Sequence, residues 1–227
     1  MIRGAIFDLD GTLLDSNPYW AKAPVEYLAS FGKRAAPDLT KTLFPMTVPE
    51  ATAYMIREYG LNISPEEFSD GIGAMMENFY RYEIPMKVGI PMLLRKMKER
   101  KIPCTIASVT DRPMVEAALR RHGILPFFSG IVTTADVGIG KHAPDVYLRA
   151  AEGIGSEVQE TLVFEDALHA LKTAKGAGFR TVGVYDRAMD GRKEELLRYC
   201  DYYLEDFSDL SGFLRALDEE RKSGSPA

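Results

Sequence analysis

Cysteine, histidine and tryptophan are scarce in this chain, at 2, 3 and 1 of 227 residues. Cys104 and Cys200 form no C-x-x-C pair, so neither a thiolate zinc site nor a disulfide framework can be drawn from them, and a reducing compartment is expected. No apolar run approaches the roughly 18 residues that a membrane span needs. Residues 1–30 lack the basic start, apolar middle and small-residue cleavage site of a signal peptide, and the expectation is a cytoplasmic protein, neither exported nor embedded. Positive charge is not in excess either. Lys and Arg number 28 against 33 Asp and Glu, a net charge of −5, which speaks against a broad footprint for nucleic acid or an anionic membrane. A small charged ligand bound locally stays open. Internal repeats and low-complexity tracts are missing as well, and no feature marks an obligate protein partner.

What the chain does have is apolar residues (46%), charged residues (27%), and 19 Gly and 13 Pro dispersed along its length, the composition of a globular protein with an ample core. The run from Ile2 to Phe7 is apolar apart from Arg3 and stops at Asp8-Leu9-Asp10-Gly11-Thr12, which predicts a buried strand ending in a polar loop. From Asn17-Pro18 to about Pro85 only helices are predicted, with Ala21, Val25, Leu28 and Ala29 on one face, and later Phe68, Ile72, Met75, Met76 and Phe79. After Lys87 helix and strand alternate. A helix carries Ile90, Leu93, Leu94 and Met97, a strand runs from Cys104 to Ala107, and Asp111 with Pro113 opens the next helix. A strand near Ile131-Val132, a helix with Tyr147, Ala150, Ala151 and Ile154, a strand from Thr161 to Phe164, a helix through Leu168 and Leu171, and a strand from Thr181 to Val184 follow. Such alternation predicts an α/β fold, a doubly wound parallel sheet core made of residues 1–13 and 87–227, interrupted by an all-helical insert, residues 14–86. The tail from Glu219 is expected to fray.

Ligands in such sheets sit beyond the carboxyl ends of the strands. The residues just past those ends are Asp8 and Asp10, then Ser108, then Lys141, then Glu165 and Asp166. Four carboxylates in one crevice would repel by several kcal/mol in a low dielectric. A bound divalent cation is the natural compensation, and an oxygen-only ligand set favours Mg²⁺. Each residue also has a plainer explanation. Asp8-x-Asp10 could be an ordinary turn, Asp166 a helix cap, and Ser108 and Lys141 loop polar residues; their order and spacing single them out. The histidines stay outside the scheme: His122 as a partner to a helix carboxyl end, His142 in an exposed loop, His169 on a helix surface.

This constellation resembles the haloacid dehalogenase-like hydrolase superfamily, and more closely its branch with β-phosphoglucomutase and small-molecule phosphatases. The motifs that carry the resemblance are Asp8-Leu9-Asp10-Gly11-Thr12, Ser108 in Ile106-Ala107-Ser108-Val109-Thr110, Lys141 in Gly140-Lys141-His142-Ala143-Pro144-Asp145, and Val163-Phe164-Glu165-Asp166. The resemblance implies phosphatase chemistry through a phosphoaspartate. Asp8 would attack phosphorus, and Asp10 would protonate the leaving alkoxide and then deprotonate water. Mg²⁺ would be held by Asp8, the Asp10 carbonyl, Asp166 and Glu165. Lys141, the Ser108 hydroxyl and backbone N–H groups near Leu9 and Val109 would hold the phosphate oxygens. The substrate would be a small phosphorylated metabolite. His142 stands where the family usually has proline, so the Lys141 loop is expected to be less rigid.

Three rivals separate on visible residues. Dehalogenation needs no acid for a halide, so Asp10 argues against it. A phosphorylation-receiver domain would lack Asp10 in this role and the helical insert. A sugar phosphomutase would use the same core and grip a second phosphate with the insert, whose six basic and ten acidic residues make it a poor bed for one. Mutase relatives also tend to carry a histidine where this chain has Trp20 and an arginine within the stretch Thr47-Val48-Pro49-Glu50, so hydrolysis is expected. The insert holds 11 of the 23 aromatic residues. A small bundle needs such bulk for its interior; the sharper expectation is that Trp20, Tyr19 or Phe44 lines the mouth of the site. The insert is expected to swing as a lid over Asp8.

Overall fold

The structure, a computed structural model, describes residues 1–43 and 46–223, the side chains of 221–223 excepted. Phe44 therefore lies outside the described residues. Six strands form: β1 (Gly4–Phe7), β2 (Cys104–Ser108), β3 (Phe128–Thr133), β4 (Thr161–Glu165), β5 (Arg180–Val184) and β6 (Tyr202–Leu204). They make one sheet in the order β3-β2-β1-β4-β5-β6, and every neighbouring pair is parallel. All residues of β1, β2 and β4 are buried, as central parallel strands covered on both faces must be.

Alternation along β1 sorts the two faces. Ile6 and its register partner Val163 join Ala107, Val146, Tyr147 and Phe179 in one cluster. Their neighbours Phe7 and Phe164 point the other way, stacked with ring centroids 4.3 Å apart, and Phe213 meets Phe164 edge-on at 5.8 Å. One face is thus covered by the helix that carries Val146 and Tyr147, the other by the helix that carries Phe213.

The helices are α1 (Asn17–Ser30), α2 (Leu39–Leu43), α3 (Val48–Tyr59), α4 (Pro65–Tyr82), α5 (Ile90–Glu99), α6 (Arg112–Arg121), α7 (Thr134–Val137), α8 (Asp145–Gly153), α9 (Leu168–Gly176), α10 (Lys193–Leu197) and α11 (Ser211–Ser223). Close contacts divide the chain into two units, Met1–Asp15 with Pro85–Ala227, and Ser16–Ile84. Leu14 forms isolated bridges to Asp10 and Met86, the Asp15 N–H donates to the Pro85 carbonyl at 2.9 Å, and the Lys87 N–H donates to that of Leu13 at 2.9 Å. These bonds draw Leu14, Asp15, Pro85 and Met86 into the sheet unit.

The helical unit has its own core of Leu28, Leu39, Met55, Leu61 and Phe68. Helix α4 begins with a reciprocal cap, in which Ser64 Oγ accepts from the Glu67 N–H at 3.1 Å and Glu67 Oε2 accepts from the Ser64 N–H at 2.7 Å. In α1 the buried face differs from expectation. Val25 and Ala29 are exposed, and the buried arc passes through Ala23 and Leu28 with half-buried Tyr27. The reason is aromatic: Tyr27 packs edge-on to Phe68 at 5.1 Å, across Gly71, where a Cβ would lie 1.9 Å from the Tyr27 hydroxyl. Among the described residues no helix is long and apolar enough to cross a membrane.

Candidate active site

Parallel register puts the carboxyl ends of β2, β1 and β4 side by side, and each delivers a polar residue there. Ser108 and Glu165 are the last residues of β2 and β4, and Asp8 follows β1 with its N–H donating to the Phe164 carbonyl at 3.0 Å. Beyond Asp8 the chain turns sharply. Gly11 takes φ +77°, and the N–H groups of Leu13 and Leu14 both donate to the Leu9 carbonyl at 2.9 Å. Glycine is the residue that adopts this left-handed conformation without a Cβ penalty. The turn buries Leu9, Leu13 and Leu14, and it places the Thr12 hydroxyl 3.3 Å from Asp166 Oδ1, to which it donates.

Lys141 comes from the loop between α7 and α8 and is 5% exposed. Its ammonium donates to Asp8 Oδ1 and, at 2.5 Å, to Glu165 Oε1. Tyr147, fully buried on α8, donates its hydroxyl to the same Glu165 oxygen at 2.7 Å, and Lys141 Nζ sits 5.7 Å from the centre of its ring. Carboxylate oxygens of Asp8, Glu165 and Asp166 lie within 4.8 Å of one another. Asp10 stands apart from this group: its Oδ2 accepts from the Thr110 hydroxyl at 2.6 Å. Thr110 is 4% exposed, and its N–H donates to Ser108 Oγ at 3.0 Å. The Val109 side chain is exposed, so only its backbone is a candidate ligand.

Electrostatics follow from burial. Asp8 is held well above the usual carboxylate range by loss of water and by repulsion from Glu165, against the pull of Lys141. Asp166 is pushed up to about 7 by burial, then by Glu165 and Asp186, with Lys87 and Lys141 opposing. Burial alone would lower Lys141, but Asp8 and Glu165 outweigh it and hold the ammonium charged. One lysine facing three buried carboxylates leaves negative charge uncompensated. A hard divalent cation with oxygen preference fits that donor set, and Asp8, Glu165 and Asp166 are the side chains that could hold it.

Sequence reasoning passed over several neighbours. Tyr147 was expected as core packing only; the signal was a tyrosine rather than phenylalanine on a buried face, since its hydroxyl must find a partner. Thr110 and the pair Lys87–Asp186 at 3.1 Å were not singled out, and nothing in the linear pattern marks them. Of the aromatics expected at the mouth, Trp20 is 41% exposed and donates Nε1–H to the Tyr80 hydroxyl at 3.0 Å, while the Tyr19 ring packs on Phe79 at 5.3 Å. Both belong to the helical unit. His142 is exposed.

The profile of haloacid dehalogenase-like hydrolases matches residues 5–184. Among relatives, the phosphorylated carbohydrates phosphatase of Thermotoga maritima is 28% identical over 194 residues, covering 84% of this chain and 89% of that protein. The (DL)-glycerol-3-phosphatase 2 of Arabidopsis thaliana is 30% identical over 197 residues, covering 83% and 82%. The crystal structure of CbbY from Rhodobacter sphaeroides in complex with phosphate superposes with a TM-score of 0.77 at 26% identity, covering 93% of this chain and 97% of that one. The chain belongs to the haloacid dehalogenase-like hydrolases, in the branch of phosphatases and mutases.

Proposed function

We propose that this phosphoric monoester hydrolase releases phosphate from a small phosphorylated metabolite through a phosphoaspartate on Asp8, with Mg²⁺ as its cofactor. The observation that carries the reading is the setting of Asp8, buried at the end of β1 with Lys141 on Oδ1 and with Asp10, a second carboxyl, held two residues further on. Asp8 attacks phosphorus and the ester P–O bond breaks. Asp10 gives its proton to the leaving oxygen, then takes one from the water that attacks the phosphoaspartate and frees Asp8. Lys141, the Ser108 hydroxyl and the backbone at Leu9 and Val109 hold the phosphate oxygens as charge moves between them. Ser108 Oγ accepts from the Thr110 N–H and keeps its own hydrogen as a donor for a phosphate oxygen.

Asp8, Glu165, Asp166 and the Asp10 carbonyl would hold Mg²⁺. When bound, it supplies the positive charge that lets a carboxylate approach a phosphate dianion. The helical insert serves as the cap that closes during turnover. Its net charge of −4 over residues 14–86, and Trp20 in place of a histidine, support hydrolysis over sugar phosphomutase chemistry.

The test is phosphate release from phosphoglycolate, hexose phosphates, glycerol 3-phosphate, nucleotides and aromatic phosphates, with Mg²⁺ and with chelator, beside conversion of β-glucose 1-phosphate to glucose 6-phosphate. Metal-dependent release without isomerisation is expected. Isomerisation outpacing release would make the protein a mutase.

A further inference from the structure

The acid/base carboxyl of this scheme sits on a rotatable side chain in a polar loop, half-buried, and the Thr110 hydroxyl donates to it. We infer that Thr110 is the positioning residue for Asp10, holding Oδ2 so that Oδ1 carries the proton exchanged with the leaving group. The inference rests on the assignment of Asp10 as acid and base.

Three observations support it. The hydrogen bond is short, 2.6 Å from the Thr110 hydroxyl to Asp10 Oδ2. Thr110 is itself anchored: it is buried, and its N–H donates to the fully buried Ser108 Oγ at 3.0 Å. The Asp10 side chain is also distinct from the three carboxylates, Asp8, Glu165 and Asp166, whose oxygens lie within 4.8 Å of one another. Ser108, Thr110 and Asp10 thus form one hydrogen-bonded chain from the end of β2 to the loop after β1. The same chain sets the direction of the Ser108 hydroxyl and the rotamer of the acid, so the phosphate holder and the proton donor are placed by one element. A threonine hydroxyl can donate to Oδ2 whether Asp10 is protonated or ionised, so the tie survives both half-reactions.

A misplaced acid matters only where the leaving oxygen needs a proton. The test is therefore kcat/KM, which reports the steps up to the phosphoenzyme, for glycerol 3-phosphate, phenyl phosphate and p-nitrophenyl phosphate in wild type, T110V, T110S and D10A. In T110V, kcat/KM is expected to fall about tenfold or more for glycerol 3-phosphate, less for phenyl phosphate, and under about twofold for p-nitrophenyl phosphate, whose leaving group departs as the anion. T110S, which keeps the hydroxyl, is expected to restore all three values. D10A should show the same ordering with larger losses.

Equal losses on all three esters in T110V, or none, with the graded pattern kept in D10A, would overturn the role of Thr110 alone. Equal losses in D10A would remove the acid role of Asp10, and the inference with it. Thermal melting of each variant identifies a failure to fold; should T110V not fold, T110A takes its place with the same expected ordering.

Discussion

Replacing Asp166 by asparagine is expected to make the metal-free protein more stable, although it removes a candidate metal ligand. In the folded chain the proton of Asp166 is held up to about 7 instead of the ordinary 3.8. At about 1.4 kcal/mol per pH unit, ionising this carboxyl inside the fold costs about 4 kcal/mol more than in the unfolded chain. The sign follows from proton binding. Between pH 4 and 7 the folded state binds more protons than the unfolded state, so metal-free stability falls as pH rises through that window. Nearly the whole penalty is present above pH 7, and less than half of it at pH 5.

Asparagine has nearly the same shape, keeps an oxygen to accept from the Thr12 hydroxyl, and never ionises. The gain of D166N over wild type in chelator should therefore be larger at pH 8 than at pH 5, by about 3 kcal/mol. For a chain of this size that is a difference of about 6–12 °C in melting temperature. Scanning calorimetry in EDTA at the two pH values measures it directly. With Mg²⁺ at pH 8 the wild type should recover stability and D166N should gain less. A D166N gain that is equal at both pH values, or a loss at pH 8, would refute the reasoning about uncompensated charge.

Further outcomes follow from single side chains. K141M leaves Asp8 and Glu165 buried without their ammonium, and urea unfolding in EDTA at pH 8 should show a loss of about 3–5 kcal/mol together with loss of turnover; an unchanged urea midpoint would contradict that pairing. G89A places a Cβ 2.1 Å from the Phe207 carbonyl oxygen at φ +89°, and should cost about 2 kcal/mol or more while leaving the metal dependence of turnover as it is. W20A should change the relative rates across the phosphoester panel, with a stability cost of about 1 kcal/mol from the lost bond to Tyr80; unaltered rate ratios would end the role assigned to Trp20.

Much of this could be read from one dimension because the core strands are buried on both faces. Ile2 to Phe7, Cys104 to Ala107, Thr161 to Phe164 and Thr181 to Val184 appear as short runs that are apolar but for Arg3 and single threonines, and the strands observed there overlap those runs closely. Strand β6, Tyr202–Leu204, escaped because three residues at the sheet edge, two of them half-buried tyrosines, carry no such run. The face of α1 was misjudged because aliphatic spacing ignored Tyr27. At the site, each motif residue stands at a strand end or on an adjoining loop, positions that alternation of strand and helix predicts. Thr110 and Tyr147 were not predicted as site neighbours for a different reason: what matters in them is a hydroxyl direction, which depends on a partner 100 residues away for Thr110 and 18 for Tyr147.

The place of β1 in the sheet has a consequence for how the protein is made. Ala5 pairs with Cys104 on one side and Leu162 on the other, so β1 leaves the ribosome long before either neighbour exists. Closing loops of that length is entropically costly and slow compared with helix formation, and the central strand has no parallel partner in the meantime. Until the chain has been translated past Glu165, the run ending in Phe7 is an unpaired apolar segment open to chaperones or to other nascent chains. The cluster of Asp8, Glu165 and Asp166 then assembles late and all at once, when the strand leading to Asp8 slots between β2 and β4.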